Sequence, residues 1–458
     1  MKNRLYVKEL RYTEDSTGYF SKLCDLPLPV WLDSNGSARG RYDILSADPS
    51  QWLSANAGLT RLDSAISSET FAEEPLGVLT RLLSQTGYES HPGLPFSGGA
   101  IGYLSYDLGR CYESLPTTAL NDYSLPDCII GIYDWALVQD HKLRKSHFVC
   151  QHLDARAQLA LNRFEALDNI TEHGDFALTS KLRGAWPFAD YSHAFDRVQD
   201  YIQAGDCYQI NLSQRYSASY QGDPTALYLK LRKQTSAPFS AYFGCGDVGD
   251  RGDCSIVSFS PERFLNVEGK RVATQPIKGT APRAADPATD AANARWLCNS
   301  EKDRAENLMI VDLLRNDIGK SCEPGSITVP QLFELQSFAS VHHLVSTVQG
   351  RLRPELHAMD ALRSAFPGGS ITGAPKLRAM EIIEELEPYW RSVYCGSMFY
   401  AGYNGNMDSS IMIRTILCNA GQLYCWGGGG IVADSTVEAE YQEIEDKIGR
   451  LLKTLRAS

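Results

Sequence analysis

Residues 395–426 constrain the fold most, because they carry three β-type runs in close succession. The runs CGSMFYAGY, DSSIMIRTIL and QLYCWG are separated by short segments rich in asparagine and glycine. Asn404-Gly405 and Ala420-Gly421 supply turn signals, and connections this short join antiparallel neighbours. The regular alternation of strand and helix that is typical of a parallel sheet is absent. The chain is therefore predicted to be α+β, with antiparallel meanders.

Helical periodicity marks three further segments of the second half. Apolar side chains recur at helical spacing over 301–316, 375–387 and 435–455. Pro375 is predicted to be the first residue of its helix. Ser435 and Glu438 stand three residues apart, which predicts a capping box at the start of the last helix.

The balance of charges excludes some classes of function. The chain has 458 residues, with 44 Lys and Arg against 55 Asp and Glu, so its formal net charge is −11. It has no basic excess with which to displace the counterions of phosphate, which argues against nucleic-acid binding. The longest apolar run, Cys128–Val138, is too short to cross a membrane and contains Asp134. The twelve cysteines form no CxxC pair, and the first residues form no apolar signal segment. We therefore expect a cytoplasmic protein with reduced thiols and no membrane association.

A polar stretch at 151–192 separates two regions of different composition. Residues 1–150 carry short β-type runs with Gly and Pro turns, whereas the part from 193 to 455 alternates strong helices with strands. Three regions are predicted: an N-terminal region 1–150, a connector 151–192, and a region 193–455 that carries the candidate site.

Two of the predicted helices place carboxylates one turn apart. Asp303 and Glu306 form one such pair, and Glu440 and Glu443 form the other, each at i and i+3. Carboxylates at this spacing repel one another unless water or a cation neutralises them. If the two helices face each other, they form an oxygen cage suited to Mg²⁺. A solvated helix face is the alternative.

Three segments between 367 and 430 favour the binding of anions. Arg414 lies among apolar residues of a predicted strand, where a buried guanidinium needs an anionic partner. The run Gly427–Gly430 lets backbone N–H groups approach an anion, and residues 367–376 lead into a helix N-terminus. The alternatives are a structural Arg–carboxylate pair and a flexible turn. Together the three segments predict a substrate with several carboxylates.

Lys278 and the adjacent pair His342-His343 are candidate reactive residues. Lys278 lies between a β-type run and a Gly turn, and a lysine whose pKa is lowered becomes a nucleophile. The histidines precede an apolar pair, so one ring could face inward as an acid or base. An exposed lysine and a core histidine are the alternatives. The sequence contains no Ser-His-Asp order, HExxH motif or zinc spacing.

Seven blocks in the second half resemble the chorismate-utilising enzymes. The blocks are SPERF (260–264), PIKGT (276–280), DRAENLMIVDLLRNDIG (303–319), VHHLVS (341–346), FPGGSITGAPK (366–376), GNMDSSIMIRT (405–415) and GGGGIVADSTVEAEYQEIEDK (427–447). The resemblance extends to the first half at 32–34, 106–116 and 131–137. That family includes anthranilate synthase, isochorismate synthase, salicylate synthase and aminodeoxychorismate synthase. The resemblance implies one large unit of two stacked antiparallel β-sheets wrapped by helices, as in anthranilate synthase component I.

Two positions distinguish the branches of this family. Lys278 stands where anthranilate synthases typically carry alanine, and it resembles the lysine that is taken to attack chorismate in aminodeoxychorismate synthases. Gln209 stands where water-adding isochorismate and salicylate synthases carry a lysine base, which ammonia does not need. The resemblance thus implies Mg-dependent amination of chorismate to 4-amino-4-deoxychorismate, towards 4-aminobenzoate and folate. The alternatives are an anthranilate synthase component I and a non-catalytic chorismate-binding or regulatory subunit.

The resemblance also implies roles for individual residues. The implied magnesium site consists of Glu306, Glu443, Asp303 and Glu440, the last two acting through water. The implied chorismate-binding residues are Gln209, Ser370, Thr372, Tyr394, Arg414, Gly428, Gly429, Gly430 and Lys447. Glu262 would be the general acid, Lys278 the nucleophile and His343 a second acid or base.

The implied partners are chorismate and a source of ammonia. No cysteine lies in a GxCxGxQ-type glutaminase motif, so a separate glutamine amidotransferase subunit or free ammonium is expected to supply ammonia. Leu32-Asp33-Ser34 resembles the segment whose serine lines a tryptophan pocket in anthranilate synthases. Tryptophan binding at Ser34 stays open, with an ordinary strand end as the alternative.

Overall fold

The computed structural model describes residues 5–37, 39–56, 58–85, 87–123, 125–166, 173–246, 254–337 and 341–457. Strands β1 to β25 are, in chain order, Tyr6–Leu10, Val30–Asp33, Tyr42–Ser46, Gln51–Asn56, Leu59–Ser64, Ser68–Phe71, Gly99–Leu104, Cys128–Tyr133, Trp135–Asp140, Lys145–Cys150, Phe176–Leu178, Arg183–Gly184, Gln209–Gly222, Phe239–Gly244, Cys254–Ser260, Arg263–Glu268, Arg271–Thr274, Ile277–Pro282, Thr328–Ser337, Val341–Arg351, Gly373–Ala374, Ser397–Gly402, Met407–Ile411, Thr415–Asn419 and Gln422–Ile431. Helices α1 to α10 are Thr17–Phe20, Pro75–Leu83, Ala155–Glu165, Phe188–Ala204, Pro224–Arg232, Pro287–Asn299, Glu301–Gly319, Ala358–Ala365, Lys376–Leu386 and Val437–Arg456. Two 3₁₀ turns lie at Tyr106–Cys111 and Gly369–Ile371.

The strands form two large antiparallel sheets. The first sheet has thirteen strands in the order β1-β10-β9-β3-β2-β14-β15-β24-β25-β13-β11, with β12 and β21 also paired to β13. The second has twelve strands in the order β18-β20-β17-β16-β23-β22-β7-β8-β4-β5-β6, with β19 paired to β20. Both sheets combine strands from before residue 150 with strands from after residue 192. The predicted architecture of stacked antiparallel sheets with helices is confirmed, and the region boundaries stay predictions.

The main core lies between the two sheets. Phe243 and Trp426 of the first sheet belong to the same buried cluster as Ile130 and Met398 of the second. Burying an aliphatic or aromatic side chain of this size contributes about 1.5–3 kcal/mol, so this cluster holds the two sheets together.

Strand β25 has a different environment on each of its faces. Trp426 points into the core between the sheets, and Gly428 and Gly430 follow on the same face because side chains alternate along a strand. Gly427 lies on the opposite face, where a Cβ would come within 2.9 Å of Ile444 on α10. The glycines let α10 pack closely on one face, and on the other they let the side chains of Gln209 and Asn211 lie directly against β25.

The strand predicted to contain Arg414 is interrupted at that residue. β23 ends at Ile411 in the second sheet and β24 begins at Thr415 in the first, so residues 412–414 carry the chain from one sheet to the other. Arg414 has a φ of +54°, a left-handed conformation that costs a non-glycine residue about 1–3 kcal/mol. The apolar residues on either side of Arg414 led to the prediction of a strand, because a segment that crosses between two packed sheets is surrounded by apolar residues as a buried strand is.

Other local predictions differ from the structure for similar reasons. The run Gly427–Gly430, for which a flexible turn was the alternative, continues β25 because β13 pairs with it along its whole length. The predicted capping box is wrong, because Thr436 is the N-cap and Ser435 Oγ donates to Glu440 Oε1 at 2.6 Å. Pro375 is the N-cap of α9 and not its first residue.

The structure shows the state of the cysteines and whether the helices have the character of membrane spans. All twelve cysteines are free thiols. Burial raises the pKa of Cys150 and of Cys425 to about 12, which keeps both protonated. None of the helices in the described ranges combines the length and the apolar composition needed to cross a membrane.

Candidate active site

Lys278 lies where three separate parts of the fold converge. It pairs with Leu344 across β18 and β20, and the pairing shifts between Lys278 and Thr280, where Gly279 has a φ of +78°. The charge of the Lys278 ammonium acts on the carboxyl groups of Glu262, Glu306 and Glu443. These carboxyl groups come from the β15–β16 connection, from α7 and from α10. The structure thus brings the predicted nucleophile, general acid and metal ligands together.

Glu262 is the buried carboxyl group of this site. Burial raises its pKa, and a hydrogen bond from Ser370 and the charge of Lys278 partly offset the increase. Ser370 Oγ donates to Glu262 Oε1 at 2.8 Å, which fixes the carboxyl group against the 3₁₀ turn at Gly369–Ile371. A carboxyl group with a raised pKa retains its proton closer to neutral pH, as a general acid must.

The four carboxylates predicted to form a metal site lie on α7 and α10. Burial raises the pKa of Glu306 and of Glu440. Lys447 Nζ forms an ion pair with Glu443 Oε1 at 2.5 Å, and despite burial this pairing lowers the pKa of Glu443. Within the described ranges, no three His, Cys, Asp or Glu side chains are gathered closely enough to form a ready-made cation site. Lysine ammonium groups provide the neutralising charge instead.

Two features of these carboxylates nevertheless fit a divalent cation. Glu440 Oε2 is buried and has no hydrogen-bond partner among the residues that the structure describes. A Cβ on Gly429 would lie 2.8 Å from this oxygen and 3.9 Å from both Glu443 Oε1 and Lys447 Nζ. A Cβ on Gly279 would lie 3.0 Å from Asp303 Oδ1. Glycine therefore leaves room beside oxygen ligands whose charge a cation would neutralise.

Arg414 is a half-buried cation without a carboxylate partner in the described part of the chain. In the described part of the chain its guanidinium forms neither an ion pair nor a hydrogen bond, and burial lowers its pKa. The structural Arg–carboxylate pair considered as the alternative is therefore not formed. Cys395 N donates to Met412 O at 2.9 Å, which ties the segment that carries Tyr394 to the crossing segment. The Tyr394 ring stacks on Trp426, with centroids 6.0 Å apart and an interplanar angle of 4°.

The edge of β25 that pairs with β24 is open towards the end of β25. β24 pairs with β25 only as far as Ile416 opposite Cys425, whereas β13 follows the other edge to Ile431. Backbone N–H groups of Gly428–Gly430 that point away from β13 are thus available to an anion. Lys447 Nζ donates to Gly428 O at 3.1 Å, which places a second cation beside this edge.

Thr372 and Gln209 contribute in different ways. Thr372 Oγ1 donates to Gly368 O at 3.2 Å, so its hydroxyl stabilises its own turn. Gln209, at the start of β13, is 1% exposed, and its Oε1 has no partner in the described ranges. The polar side chain of Gln209 therefore has hydrogen-bonding capacity left for a ligand.

Two of the remaining predicted residues, His343 and Ser34, have local partners. Burial and the nearby charge of Arg414 lower the pKa of His343 to about 4, so its ring is neutral at pH 7. A neutral ring can accept a proton, and its Nδ1 lies 2.9 Å from Thr280 Oγ1. Ser34 Oγ donates to the buried Asp43 Oδ1 at 2.7 Å. Tryptophan binding at Ser34 stays a prediction.

Arg391 supports the site and was not identified from the sequence. It is 1% exposed and pairs with Glu387 at 2.6 Å. Its guanidinium also donates to Ile371 O at 3.0 Å and to Asn211 O at 2.6 Å, which joins the Ser370 turn to β13. The i, i+4 spacing of Glu387 and Arg391 after a predicted helix was the available signal.

Arg39 is the second residue that the sequence did not reveal. Its Nη2 donates to Gln275 Oε1 at 3.2 Å, three residues before Lys278. The charge of Arg39 also acts on Glu262 and on His343. Its position in the first fifty residues gave no signal, because only tertiary structure brings this segment to the site.

Comparisons with known proteins relate the fold and the site to characterised enzymes. Residues 35–453 match the family model described as chorismate binding enzyme. The chain is 48% identical to aminodeoxychorismate synthase component 1 of Salmonella typhimurium, over 95% of each chain. It is 36% identical to anthranilate synthase component 1 of Pseudomonas putida, over 93% of this chain and 90% of that one. The crystal structure of anthranilate synthase component I from Streptococcus pneumoniae TIGR4 superposes with a TM-score of 0.78 at 33% identity, covering 90% of this chain and 92% of that one.

Proposed function

Because the chain belongs to the chorismate-binding enzyme family, we propose that it aminates chorismate with ammonia to give 4-amino-4-deoxychorismate, towards 4-aminobenzoate and folate. The convergence of Lys278 with Glu262, Glu306 and Glu443 carries this proposal. The second candidate is the anthranilate synthase reaction, because the 36% identical relative is named anthranilate synthase component 1. Lys278 and the higher identity to aminodeoxychorismate synthase component 1 favour the first.

Binding of the substrate begins with its two carboxylates. The enolpyruvyl carboxylate is held by Arg414, Tyr394 and the open edge of β25. An unpaired guanidinium and free N–H groups gain the most stabilisation when they bind an anion. Mg²⁺ bound by Glu306 and Glu443, with Asp303 and Glu440 behind them, would supply the positive charge that attracts the ring carboxylate. Binding of Mg²⁺ to Glu443 would break its ion pair with Lys447, and the Lys447 ammonium would then be free to face the substrate.

The first chemical step exchanges the allylic hydroxyl for the Lys278 amine. The Lys278 ammonium first releases a proton to solvent. Its neutral Nζ then forms a bond to the ring with a shift of the double bond, and the C–O bond breaks. Glu262 gives its proton to the departing oxygen, so water leaves and Glu262 becomes a carboxylate. Ser370, which already donates to Glu262, stabilises that carboxylate.

The second step replaces Lys278 with ammonia. Ammonia forms the new C–N bond, the bond to Lys278 breaks, and a second shift restores the original double bonds. Lys278 leaves as a neutral amine, and the new ring ammonium group returns one proton to the Glu262 carboxylate, which restores the acid for the next turnover. The net reaction converts chorismate and ammonia to 4-amino-4-deoxychorismate and water. A separate glutamine amidotransferase subunit is the proposed source of ammonia.

Product analysis tests this function directly. The purified chain is incubated with chorismate, Mg²⁺ and ammonium, and the products are identified by mass spectrometry. We expect the hydroxyl to be replaced by an amine while the enolpyruvyl group is retained. Release of pyruvate with formation of anthranilate would support the second candidate, and chorismate binding without turnover would support a non-catalytic subunit.

Arg414→Gln is expected to weaken chorismate binding. Loss of a charge-assisted hydrogen bond to a carboxylate costs about 1.5–3 kcal/mol, so the KM for chorismate should rise roughly 10–100-fold. Steady-state kinetics at saturating ammonium measures this effect. Arg41→Gln is the matched control, because Arg41 is a partly exposed arginine paired with Asp140. An unchanged KM in Arg414→Gln would contradict the proposed role.

Glu262→Gln is expected to slow the first step by about 10²–10⁴-fold, because an amide cannot donate the required proton. Adduct formation measured with chorismate and Mg²⁺ alone isolates this step. The ratio of the wild-type rate to the variant rate should be constant below the raised pKa of Glu262 and fall as pH increases through it, because only the wild type carries this titrating proton. The same profile in both proteins would exclude Glu262 as the acid.

A further inference from the structure

Two buried amide side chains next to the glycine run of β25 lack hydrogen-bond partners. Gln209 is 1% exposed and Asn211 is 8% exposed. Gln209 Oε1 and Asn211 Oδ1 are both buried, and neither has a partner in the described parts of the chain. An unsatisfied buried acceptor costs about 1–3 kcal/mol, so two of them at neighbouring positions call for a ligand.

The two amides share one face of the sheet and one environment. Gln209 and Asn211 are i and i+2 on β13, so both point to the face that carries Gly428 and Gly430. A Cβ on Gly430 would lie 2.0 Å from Gln209 Nε2, and a Cβ on Gly428 would lie 2.9 Å from Asn211 Oδ1. The amides therefore rest against glycines that are themselves implied in substrate binding.

The backbone connects Asn211 to the catalytic turn. Asn211 N donates to Thr372 O at 2.8 Å, and Asn211 O accepts from Arg391. Thr372 lies two residues from Ser370, which is bonded to Glu262. The backbone of Asn211 is thus joined to the turn that holds Glu262.

The unpartnered atoms are acceptors, which restricts the ligand to a donor. Chorismate is a dicarboxylate with a single hydroxyl donor, and that hydroxyl departs in the reaction. Ammonia has three N–H donors, and acceptors that bind them leave its lone pair free to attack carbon. Neutral amide oxygens also suit ammonia better than carboxylates would, because a carboxylate favours ammonium, which has no lone pair.

We propose that Asn211, together with Gln209, binds the attacking ammonia. The carboxylate of Glu387 does not compete for ammonia, because it already accepts hydrogen bonds from Ser213 and Arg391. This inference rests on the proposed amination. Asn211 is accordingly a substrate-binding residue for the second step and has no part in the first.

Kinetics with ammonium chloride as the nitrogen source tests the inference. Asn211→Leu removes the acceptor at nearly constant volume, and the KM for ammonium should rise about tenfold, the value of one lost hydrogen bond. Equilibrium dialysis in a Lys278→Ala background, which forms no covalent adduct, should give a chorismate Kd that is unchanged within about twofold. Asn419→Leu, at a buried position far along the same sheet, is the matched control and should change neither value.

A second variant separates the acceptor from packing and remains informative if Asn211→Leu does not fold. Asn211→Asp keeps the acceptor and the shape, so its KM for ammonium should stay near that of the wild type. Its kcat should fall, because the carboxylate retains ammonium without a free lone pair. An unchanged ammonium KM in Asn211→Leu, an equal rise in Asn211→Asp, or a weakened chorismate Kd would overturn the inference. Absence of any aminated product from the wild type would instead contradict the proposed function.

Discussion

Lys278→Ala loses amination activity by about a thousandfold or more, because the first C–N bond has no nucleophile. The same variant forms no covalent adduct when it is incubated with chorismate and Mg²⁺ in the absence of ammonium. Intact-protein mass spectrometry measures the adduct, which adds chorismate minus water to the wild-type chain. Ammonium present from the start should discharge the wild-type adduct and release the product.

The Lys278 side chain could also act by its charge alone, and a second variant distinguishes the two roles. Lys278→Arg keeps a cation beside Glu262, Glu306 and Glu443, but a guanidinium stays protonated and cannot attack. If Lys278 is the nucleophile, Lys278→Arg is as inactive as Lys278→Ala. Substantial activity in Lys278→Arg would reassign the residue to an electrostatic role. Lys145→Ala, on β10 of the first sheet, serves as control.

We expect removal of magnesium to abolish turnover, and loss of a metal ligand to weaken the response of the activity to magnesium. Glu306→Gln should require at least about a hundredfold more Mg²⁺ for half-maximal activity, since even outer-shell partners contribute 10–100-fold to metal affinity. Mg²⁺ should also raise the Tm of the wild type, because a ligand that binds only the folded state stabilises it by about 2.7 kcal/mol at a hundred times its Kd. Activity titrations and thermal melts with and without chelator measure both effects.

Glu438→Gln is the control for this series. Glu438 lies exposed in the first turn of α10, on the same helix as Glu440 and Glu443. Its removal should change neither the Mg²⁺ titration nor the shift in Tm. Equal effects of Glu438→Gln and Glu306→Gln would mean that the cation acts through the general negative charge of the helix. Turnover that survives thorough chelation would exclude the proposed metal.

The periodicity of side chains was sufficient for the local elements that build the site. The spacing of Asp303 and Glu306 predicts carboxylates on one helical face, and α7 indeed carries them. The meander at 395–426 indicated antiparallel sheets for the same reason, because short turns join neighbours. The sequence identified Arg414 as a residue that needs an anionic partner, although it wrongly predicted a strand at this position.

The sequence by itself determined the family and the antiparallel α+β architecture, and it predicted the candidate reactive residues. Only the tertiary structure decided that Lys278 reaches Glu262, Glu306 and Glu443 together, and that Arg39 and Arg391 support them. It also decided that Asn211 lies beside the glycine run without a partner. The physical reason is that periodicity and turn chemistry act over a few residues along the chain. Strand pairing and burial act between segments that are far apart in sequence, and they determine which side chains meet and which stay unpaired.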